Sequence, residues 1–306
     1  MKPIRFKGKF DGPRVRDGLI ICFYKQVAFG QWAESVAKGF EIWRESVPEE
    51  AIAHALVGSS ASTVEPVGPR TLSGCLAQLD KKQAAKRKIS GFRLGGPQKI
   101  NPDYMFMVWG SLDAKRSKGN TKTCVVEMRF PTEMLDKSGD AFAELAVRLG
   151  RAVTFDSGYA SLALHWSTDS ELVPAAAEQV PLAMRHPGFD LHDSGSTRYG
   201  LGRLSRGARW LTFLGADLVE ELGGRKSLEK KVEKHATVSE CDDGLAVRVK
   251  GAPELGDVNR KQILPGEQAV AKAIEPVTLF GDEDLGRRVF ADEQETRERW
   301  ERRFLG

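Results

Sequence analysis

Hydrophobic residues recur along the first part of the chain with two different periods. Between Phe29 and Val47 they return every third or fourth residue, which places one apolar stripe along a helix that Pro48 ends. The preceding run from Gly18 to Tyr24 is apolar and rich in β-branched and aromatic residues, which is typical of a buried strand. The pattern therefore predicts a strand followed by an amphipathic helix.

Three strand candidates follow one another closely, at 89–94, 104–110 and 121–130. The gaps between them contain Gly, Asn, Lys and Ser, and they are too short to hold a crossover helix. We therefore expect these three strands to form an antiparallel meander.

Short strands and amphipathic helices alternate through the rest of the chain. Further strands are predicted at 53–57, 159–165, 209–214, 235–241 and 245–250. Helices are predicted at 69–79, 131–149, 174–184, 214–222, 226–233 and 265–273. The charged segment 292–304 is expected to be a helix with a solvated face. The pattern predicts an α+β fold, a mainly antiparallel sheet with amphipathic helices packed on it.

The composition fits one large folded domain. The chain has 306 residues, of which 41% are hydrophobic and 29% charged, and it can therefore bury a substantial core. No internal repeat or low-complexity linker interrupts it. We expect residues 1–250 to form the body of the domain, and residues 251–306 to form a mainly helical extension packed on the same domain.

The charge balance gives no strong bias toward polyanionic partners. Lys and Arg (46) exceed Asp and Glu (42) by only four charges. The basic run 81–88 has no interleaved aromatic residues to stack bases, so a solvated loop explains it better. The N-terminus has no apolar signal segment, and no stretch approaches the ~18 apolar residues of a membrane span. We expect a cytoplasmic protein with no direct nucleic-acid or membrane partner.

The four cysteines are expected to be buried thiols in a reducing compartment. Cys22, Cys75, Cys124 and Cys241 are far apart in the sequence, and most of them lie in apolar surroundings. Their spacing does not match that of a zinc or redox motif.

Motifs of the common enzyme classes are absent from the sequence. The chain contains no P-loop, no Gly-x-Ser-x-Gly elbow and no His-Glu-x-x-His pair. The nearest glycine pattern, Gly200-x-Gly202, lacks its third glycine and does not follow a clear strand. We therefore predict no catalytic residue and no bound cofactor.

The segment 186–193 concentrates potential metal ligands. His186, Asp190, His192 and Asp193 carry the imidazole and carboxylate groups that suit zinc or manganese. A proline–glycine pair within the segment also forces a turn, in which polar side chains commonly bond the local backbone. We predict structural roles for these residues and no metal.

A second acidic pattern loosely resembles restriction-type nucleases. Asp103 follows a proline, and Glu127 lies on a later strand two residues before Arg129. In such nucleases two carboxylates hold Mg²⁺ and a lysine activates water. Arg129 stands where the lysine is needed and does not readily release its proton, so we do not assign a nuclease site.

The residues from 184 to 224 carry the most specific pattern in the chain. It consists of a His-Pro-Gly turn at 186–188, a polar loop, the string WLTFLG at 210–215 and a helix that ends at Gly223 and Gly224. The pattern resembles the signature region of the TsiV-like family of type VI secretion immunity proteins. Supporting pieces are the strand at 18–24, the helix through Trp32 and Trp43, and the segment 157–166.

This resemblance implies an immunity protein, which is made beside a toxic secreted effector and binds it tightly. Relatives are associated with effectors whose toxin domains include restriction-endonuclease-like nucleases. The family supplies no catalytic residue. Its signature positions imply structural roles, with Gly188, Gly215 and Gly223 in turns and Trp210 and Phe213 in the core.

Inhibitors of nucleases often present acidic surfaces, because the target is built to bind a polyanion. The densest acidic group in the chain is Asp282, Glu283 and Asp284, which we predict to face the effector. Two other function classes stay open at this point, a scaffolding protein without toxin specificity and a divergent metal-dependent hydrolase or nuclease. Loss of metal-dependent activity in Asp103→Ala would favour the latter.

Overall fold

The structure is a computed structural model that describes residues 5–7, 13–58, 64–87, 89–99, 101–111, 123–135, 138–166, 174–242, 244–281, 289–290 and 293–306. The strands are β1 (Arg5–Lys7), β2 (Pro13–Lys25), β3 (His54–Val57), β4 (Glu65–Pro66), β5 (Ile89–Gly96), β6 (Tyr104–Ser111), β7 (Cys124–Phe130), β8 (Ser157–Trp166), β9 (Leu211–Gly215), β10 (Ala236–Cys241) and β11 (Gly244–Val249). The helices are α1 (Phe29–Glu45), α2 (Pro69–Leu79), α3 (Lys81–Ala84), α4 (Asp140–Val153), α5 (Pro174–Arg185), α6 (Ser194–Leu201), α7 (Ala216–Glu221), α8 (Arg225–Val232), α9 (Pro265–Ile274) and α10 (Gln294–Glu301).

All the described strands belong to one sheet, with the order β10-β11-β9-β8-β2-β7-β6-β5-β3-β4 and with β1 paired to β2. Each neighbouring pair is antiparallel. The run β5–β6–β7 is the meander that the short gaps predict, and β2 lies at the centre between β7 and β8. The predicted α+β fold, a mainly antiparallel sheet with helices in a single domain, is confirmed.

Successive side chains of β2 alternate between the two faces of the sheet. Leu19, Ile21 and Phe23 belong to the main hydrophobic core, into which α1 and α4 also pack. Trp43 of α1 is fully buried there, with its ring centroid 5.6 Å from that of Phe106 on β6. The apolar stripe of α1 is thus the side that lies on this first face of the sheet.

The second face of the sheet carries a smaller apolar cluster and several buried polar groups. The cluster contains Ile20, Cys22 and Tyr24 of β2 together with Tyr159 of β8. Cys22 stands opposite Glu127 on one side and opposite Tyr159 on the other. All four cysteines are buried free thiols, as the sequence predicts.

Two helix boundaries differ from the predicted ones. The basic run 81–88 begins with the short helix α3 rather than a loop, because the Asp80 carboxylate caps it by accepting from the Gln83 backbone N–H at 2.8 Å. The helix expected from residue 131 begins only at Asp140, because a 3₁₀ turn at Thr132–Met134 comes first.

The C-terminal part of the described chain packs on the same core as the sheet. The charged segment forms the helix α10, as the sequence predicts, and the Trp300 side chain of this helix is buried. Its ring lies 5.9 Å from that of Phe290 and 5.4 Å from the guanidinium of Arg209. The predicted partner-facing residues Asp282, Glu283 and Asp284 lie outside the described residues. Among the helices described, none is long and apolar enough to span a bilayer.

Candidate functional site

A cavity of about 370 Å³ opens on the second face of the sheet, and we call it the sheet cavity. Side chains of β5, β6, β7, the end of β8 and the first turn of α6 line it. β6 contributes the apolar groups of Met105, Met107 and Trp109, which alternate with core residues along the strand. β7 and the segment 192–198 contribute most of the polar groups, so one side of the cavity is apolar and the other polar.

The polar side is built around a buried ion pair on β7. Glu127 and Arg129 are two residues apart, so both side chains point to the second face. Arg129 Nε donates to Glu127 Oε1 at 2.6 Å, and its Nη1 donates to the Trp166 carbonyl at 3.2 Å. Burial alone raises the pKa of Glu127, but Arg129, His192 and the Ser194 hydroxyl together hold it well below the ordinary 4.5. Glu127 is therefore a buried carboxylate that stays ionised.

His192 lies beside this pair and is 1% exposed. Its Nε2 is 3.4 Å from Glu127 Oε1 without hydrogen-bond geometry, and its Nδ1 has no hydrogen-bond partner in the described structure. The His165 ring packs edge-on against it at 5.3 Å, and the pKa of His165 is held well below 6.5 by burial, with Arg129 adding to the effect. The His192 ring and the ion pair thus line the sheet cavity, and His165 packs behind His192.

The first turn of α6 forms part of the cavity lining through Ser194, Gly195 and Ser196. Asp193 caps the helix, because its Oδ1 accepts from the Ser196 N–H at 3.3 Å and its Oδ2 from the Ser196 hydroxyl at 3.0 Å. The Ser194 hydroxyl donates to Glu127 Oε2 and ties the helix start to β7. The polar loop predicted here is therefore wrong in part. The Asp-Ser-Gly-Ser sequence at the start of α6 is compatible with a capped helix. The same small polar residues also favour turns, and for that reason the sequence does not predict the helix.

A second buried ion pair lies deeper on the same face. Asp190 is fully buried, and its Oδ1 accepts from Arg209 Nε at 2.9 Å and from Nη2 at 2.6 Å. Burial alone raises the pKa of Asp190, but Arg209, Arg206 and His192 bring it below its ordinary value. The guanidinium of Arg209 also lies 5.4 Å from the centre of the Tyr159 ring.

Three of the four candidate metal ligands of segment 186–193 have separate partners. His186 Nδ1 is 2.8 Å from the Gly256 carbonyl oxygen, Asp190 pairs with Arg209, and Asp193 caps α6. His192 alone among them combines an unpaired ring nitrogen with a place in the cavity lining. Within the described ranges, no three His, Cys, Asp or Glu residues are grouped as a metal site requires.

Asp103, the other carboxylate of the nuclease-like pattern, does not line the sheet cavity. It forms an ion pair with Arg16 and accepts from Gln98 Nε2 at 2.8 Å. Glu127 instead has Arg129 and Ser194 as partners. Asp103 and Glu127 are thus each neutralised by a different arginine. The low pKa of the Glu127 carboxylate makes this group a weak base for activating the Ser194 hydroxyl. The arrangement suits binding of a charged group better than nucleophilic chemistry.

The residues of the family signature have structural roles, although Gly215 is the last residue of β9 and the N-cap of α7 rather than a turn residue. An added Cβ at Gly188 would overlap the Glu254 carbonyl oxygen, one at Gly215 would lie 2.7 Å from the Asp156 carbonyl oxygen, and Gly223 has a φ of +87°. Trp210 and Phe213 are both buried in the main core.

Comparison with known proteins agrees with these placements. The family model TsiV, described as type VI immunity for VRR-NUC, matches residues 70–304, well over half of the chain. Among solved structures, the Pseudomonas aeruginosa T6SS protein PA0821 is similar over 99% of this chain and 87% of its own, with a TM-score of 0.77. At 17% sequence identity, this similarity shows the fold. No curated protein matches the chain. The match over residues 70–304 shows that this chain belongs to the TsiV family of type VI immunity proteins.

Proposed function

We propose that this protein binds a cognate toxin effector of a type VI secretion system, whose toxin domain is a VRR-NUC nuclease, and neutralises it by stoichiometric inhibition. The observation that carries the proposal is the family match over residues 70–304, whose description pairs type VI immunity with VRR-NUC. The partner is therefore a protein, and the nucleic acid is the substrate of that partner.

Immunity requires a tight complex, because a small free fraction of an intracellular nuclease damages the genome. A nanomolar Kd corresponds to about 12 kcal/mol of binding free energy, and interfaces that bury roughly 1,200–2,000 Å² can supply it. A rigid surface lowers the entropic cost of such binding. The large antiparallel sheet, with helices packed on its first face, supports a rigid body of this kind.

We propose that the protein neutralises the effector by binding and does not catalyse a reaction. The two carboxylates of the sheet cavity are held in an ion pair and a helix cap, and the Ser194 hydroxyl donates to the one of low pKa. No cofactor is invoked. The effector is a nuclease in this account, so protection is needed where the chromosome lies, and we place the protein in the cytoplasm.

The acidic segment of Asp282, Glu283 and Asp284 is our proposal for one contact with the effector. Three carboxylates offer charge complementarity to a surface that binds nucleic acid, and such complementarity acts mainly on the association rate. Reversing all three to Lys should therefore slow association and weaken protection. An unchanged association rate would place the contact on another surface and leave the immunity function intact.

Co-expression in a sensitive cell tests the proposed function. The gene of the proposed effector is induced alone and together with this protein, and survival and chromosome integrity are measured. We expect protection that requires this protein in at least equal amount to the effector. Continued killing at excess protein, or full protection at a small fraction of the effector amount, would contradict stoichiometric immunity.

A further inference from the structure

We propose that the sheet cavity is a binding site for an organic anion, a carboxylate or phosphate group attached to an apolar or aromatic body. The anionic group would lie against Arg129, His192 and the first turn of α6, and the body against Met107 and Trp109. This inference does not depend on the immunity function, because it concerns the free protein.

The size and burial of the cavity fit a small ligand or a single anchoring side chain. Its volume of about 370 Å³ lies within the range of ligand sites, and it reaches down to residues that are almost fully buried, among them His192 and Arg129. Met107 and Trp109 are partly exposed and lie at the solvent-accessible opening of the cavity. The cavity is therefore open to solvent at one end and polar at its base.

The polar groups of the cavity favour an anion over a cation. Both oxygens of Glu127 already accept, from Arg129 Nε and from the Ser194 hydroxyl, and both oxygens of Asp193 accept from Ser196. Each of these carboxylates is therefore already compensated by donors, which weakens its attraction for a cation. The lining also carries Arg93, Arg129 and Arg198, so three guanidinium groups face two carboxylates.

His192 provides the observation that points to a ligand. A buried polar atom in a folded protein normally has a hydrogen-bond partner, yet Nδ1 of this ring has none in the described structure while the ring lines the cavity. In its Nδ1–H tautomer this ring can donate a hydrogen bond to an anion in the cavity. The first turn of α6 adds the positive end of a helix dipole, where anions commonly bind.

The opposite side of the cavity selects for the body of the ligand. The thioethers of Met105 and Met107 and the ring of Trp109 come from alternate positions of β6, so they form one apolar surface. Such a surface packs against an aromatic ring or a short aliphatic chain and gains little from a fully hydrated ion. A simple inorganic anion should therefore bind more weakly than its aryl derivative.

A matched set of ligands tests the charge preference on the free full-length protein. Benzoate and phenyl phosphate carry the anion on a ring, and benzylammonium carries the opposite charge on the same ring. Titration followed by ligand-observed NMR should give millimolar or tighter Kd values for the two anions, and binding at least tenfold weaker for benzylammonium. Equal affinity for benzoate and benzylammonium, or no detectable binding of either anion, would overturn the proposal.

Two variants test the location of the site. His192→Leu removes the unpaired ring nitrogen at similar volume, and Met107→Trp adds bulk on the apolar side of the cavity, opposite Glu127, while keeping both residues of the buried ion pair. Each should weaken benzoate binding at least tenfold, whereas Leu76→Trp on an exposed part of α2 should leave it unchanged. Thermal melts establish that each variant is folded. Undiminished benzoate binding by folded Met107→Trp would show that the anion binds elsewhere.

The anionic group could come from a free small molecule or from an acidic side chain of the effector. Competition separates these sources, because saturating benzoate should weaken effector binding at least tenfold if an effector carboxylate enters the cavity. An unchanged effector affinity assigns the site to a free ligand. A failure of the immunity function would appear only in the effector assays, and the benzoate titration would still decide this proposal.

Discussion

Arg129 donates from Nε to Oε1 of Glu127 at 2.6 Å, and both side chains are almost completely removed from solvent on the second face of the sheet. The pair is formed within one strand, since residues i and i+2 share a face. Ser194 and His192 approach the same carboxylate from a distant part of the sequence. The Glu127–Arg129 pair therefore connects β7 of the meander to the start of α6 and forms part of the lining of the sheet cavity.

Breaking this pair from one side should be costly. Arg129→Met should lower the free energy of unfolding by about 3–5 kcal/mol, because Glu127 stays buried without its cation. Arg148→Met is the control, since it removes a solvent-exposed contact with Glu45 at 3.8 Å and should cost less than about 1 kcal/mol. Chemical denaturation measures both values, and similar losses for the two variants would contradict the buried pair.

Trp43 should contribute strongly to the first face of the sheet. Trp43→Ala should cost about 3–5 kcal/mol in chemical denaturation, because it removes a buried ring and leaves a cavity between α1 and β6. Leu76→Ala, at a position that is 41% exposed, should change stability by less than about 1 kcal/mol. A loss below about 1 kcal/mol for Trp43→Ala would show that the stripe of α1 is not packed as described.

Much of this fold could be predicted from the sequence because its elements have clear periods. The apolar run of β2, the stripe of α1 and the short gaps of the meander each follow from local chemistry. α6 was missed because Gly and Ser conceal a short helix that depends on the Asp193 cap. The burial of Trp300 was missed because one aromatic residue in a charged segment has no period.

The sheet cavity could not be predicted from the sequence, because its parts are far apart along the chain. In the sequence, Glu127 and Arg129 form part of a pattern that only loosely resembles a nuclease site. His192 belongs to a segment that predicts a turn. Only the strand register and the position of α6 bring the three side chains together. The polar segment 186–193 was expected to bond mainly its local backbone, but Asp190 and His192 contact residues on other elements.

Gly188 should tolerate no side chain. Gly188→Ala should destabilise the protein by several kcal/mol, on the order of the larger single-residue effects, because the added Cβ overlaps the Glu254 backbone carbonyl. Gly200→Ala is the matched control, since its Cβ would meet nothing within 4 Å and Ala favours the helix by up to about 1 kcal/mol. Thermal melts of the two variants should move in opposite directions, and a shared direction would contradict the close approach at Gly188.

Glu267 should make stability depend on pH near neutrality. Burial raises the pKa of this carboxyl from 4.5 to about 7, so the folded protein holds a proton that the unfolded chain releases. The contribution of Glu267 to the free energy of unfolding is greatest below pH 4.5. It falls as the pH rises from 4.5 to 7 and does not change further above pH 7. Between pH 4.5 and 8, Glu267→Gln should therefore lose about 3 kcal/mol less stability than wild type.

The control for Glu267 is Glu295→Gln, which changes an exposed carboxylate of α10. This variant should keep the pH dependence of the wild type in urea denaturation series at several pH values. An identical pH dependence in wild type and Glu267→Gln would show that Glu267 titrates at its ordinary pKa.

Titration of a purified effector nuclease with this protein tests whether the protein neutralises the nuclease stoichiometrically. The VRR-NUC domain of the proposed effector is held at a fixed concentration well above the expected Kd, and its DNA cleavage rate is measured as this protein is added. Stoichiometric neutralisation predicts a linear fall in cleavage that ends sharply at one equivalent, with a nanomolar or tighter Kd in dilute titrations. Full cleavage activity at several equivalents, or loss of activity at far less than one equivalent, would contradict it.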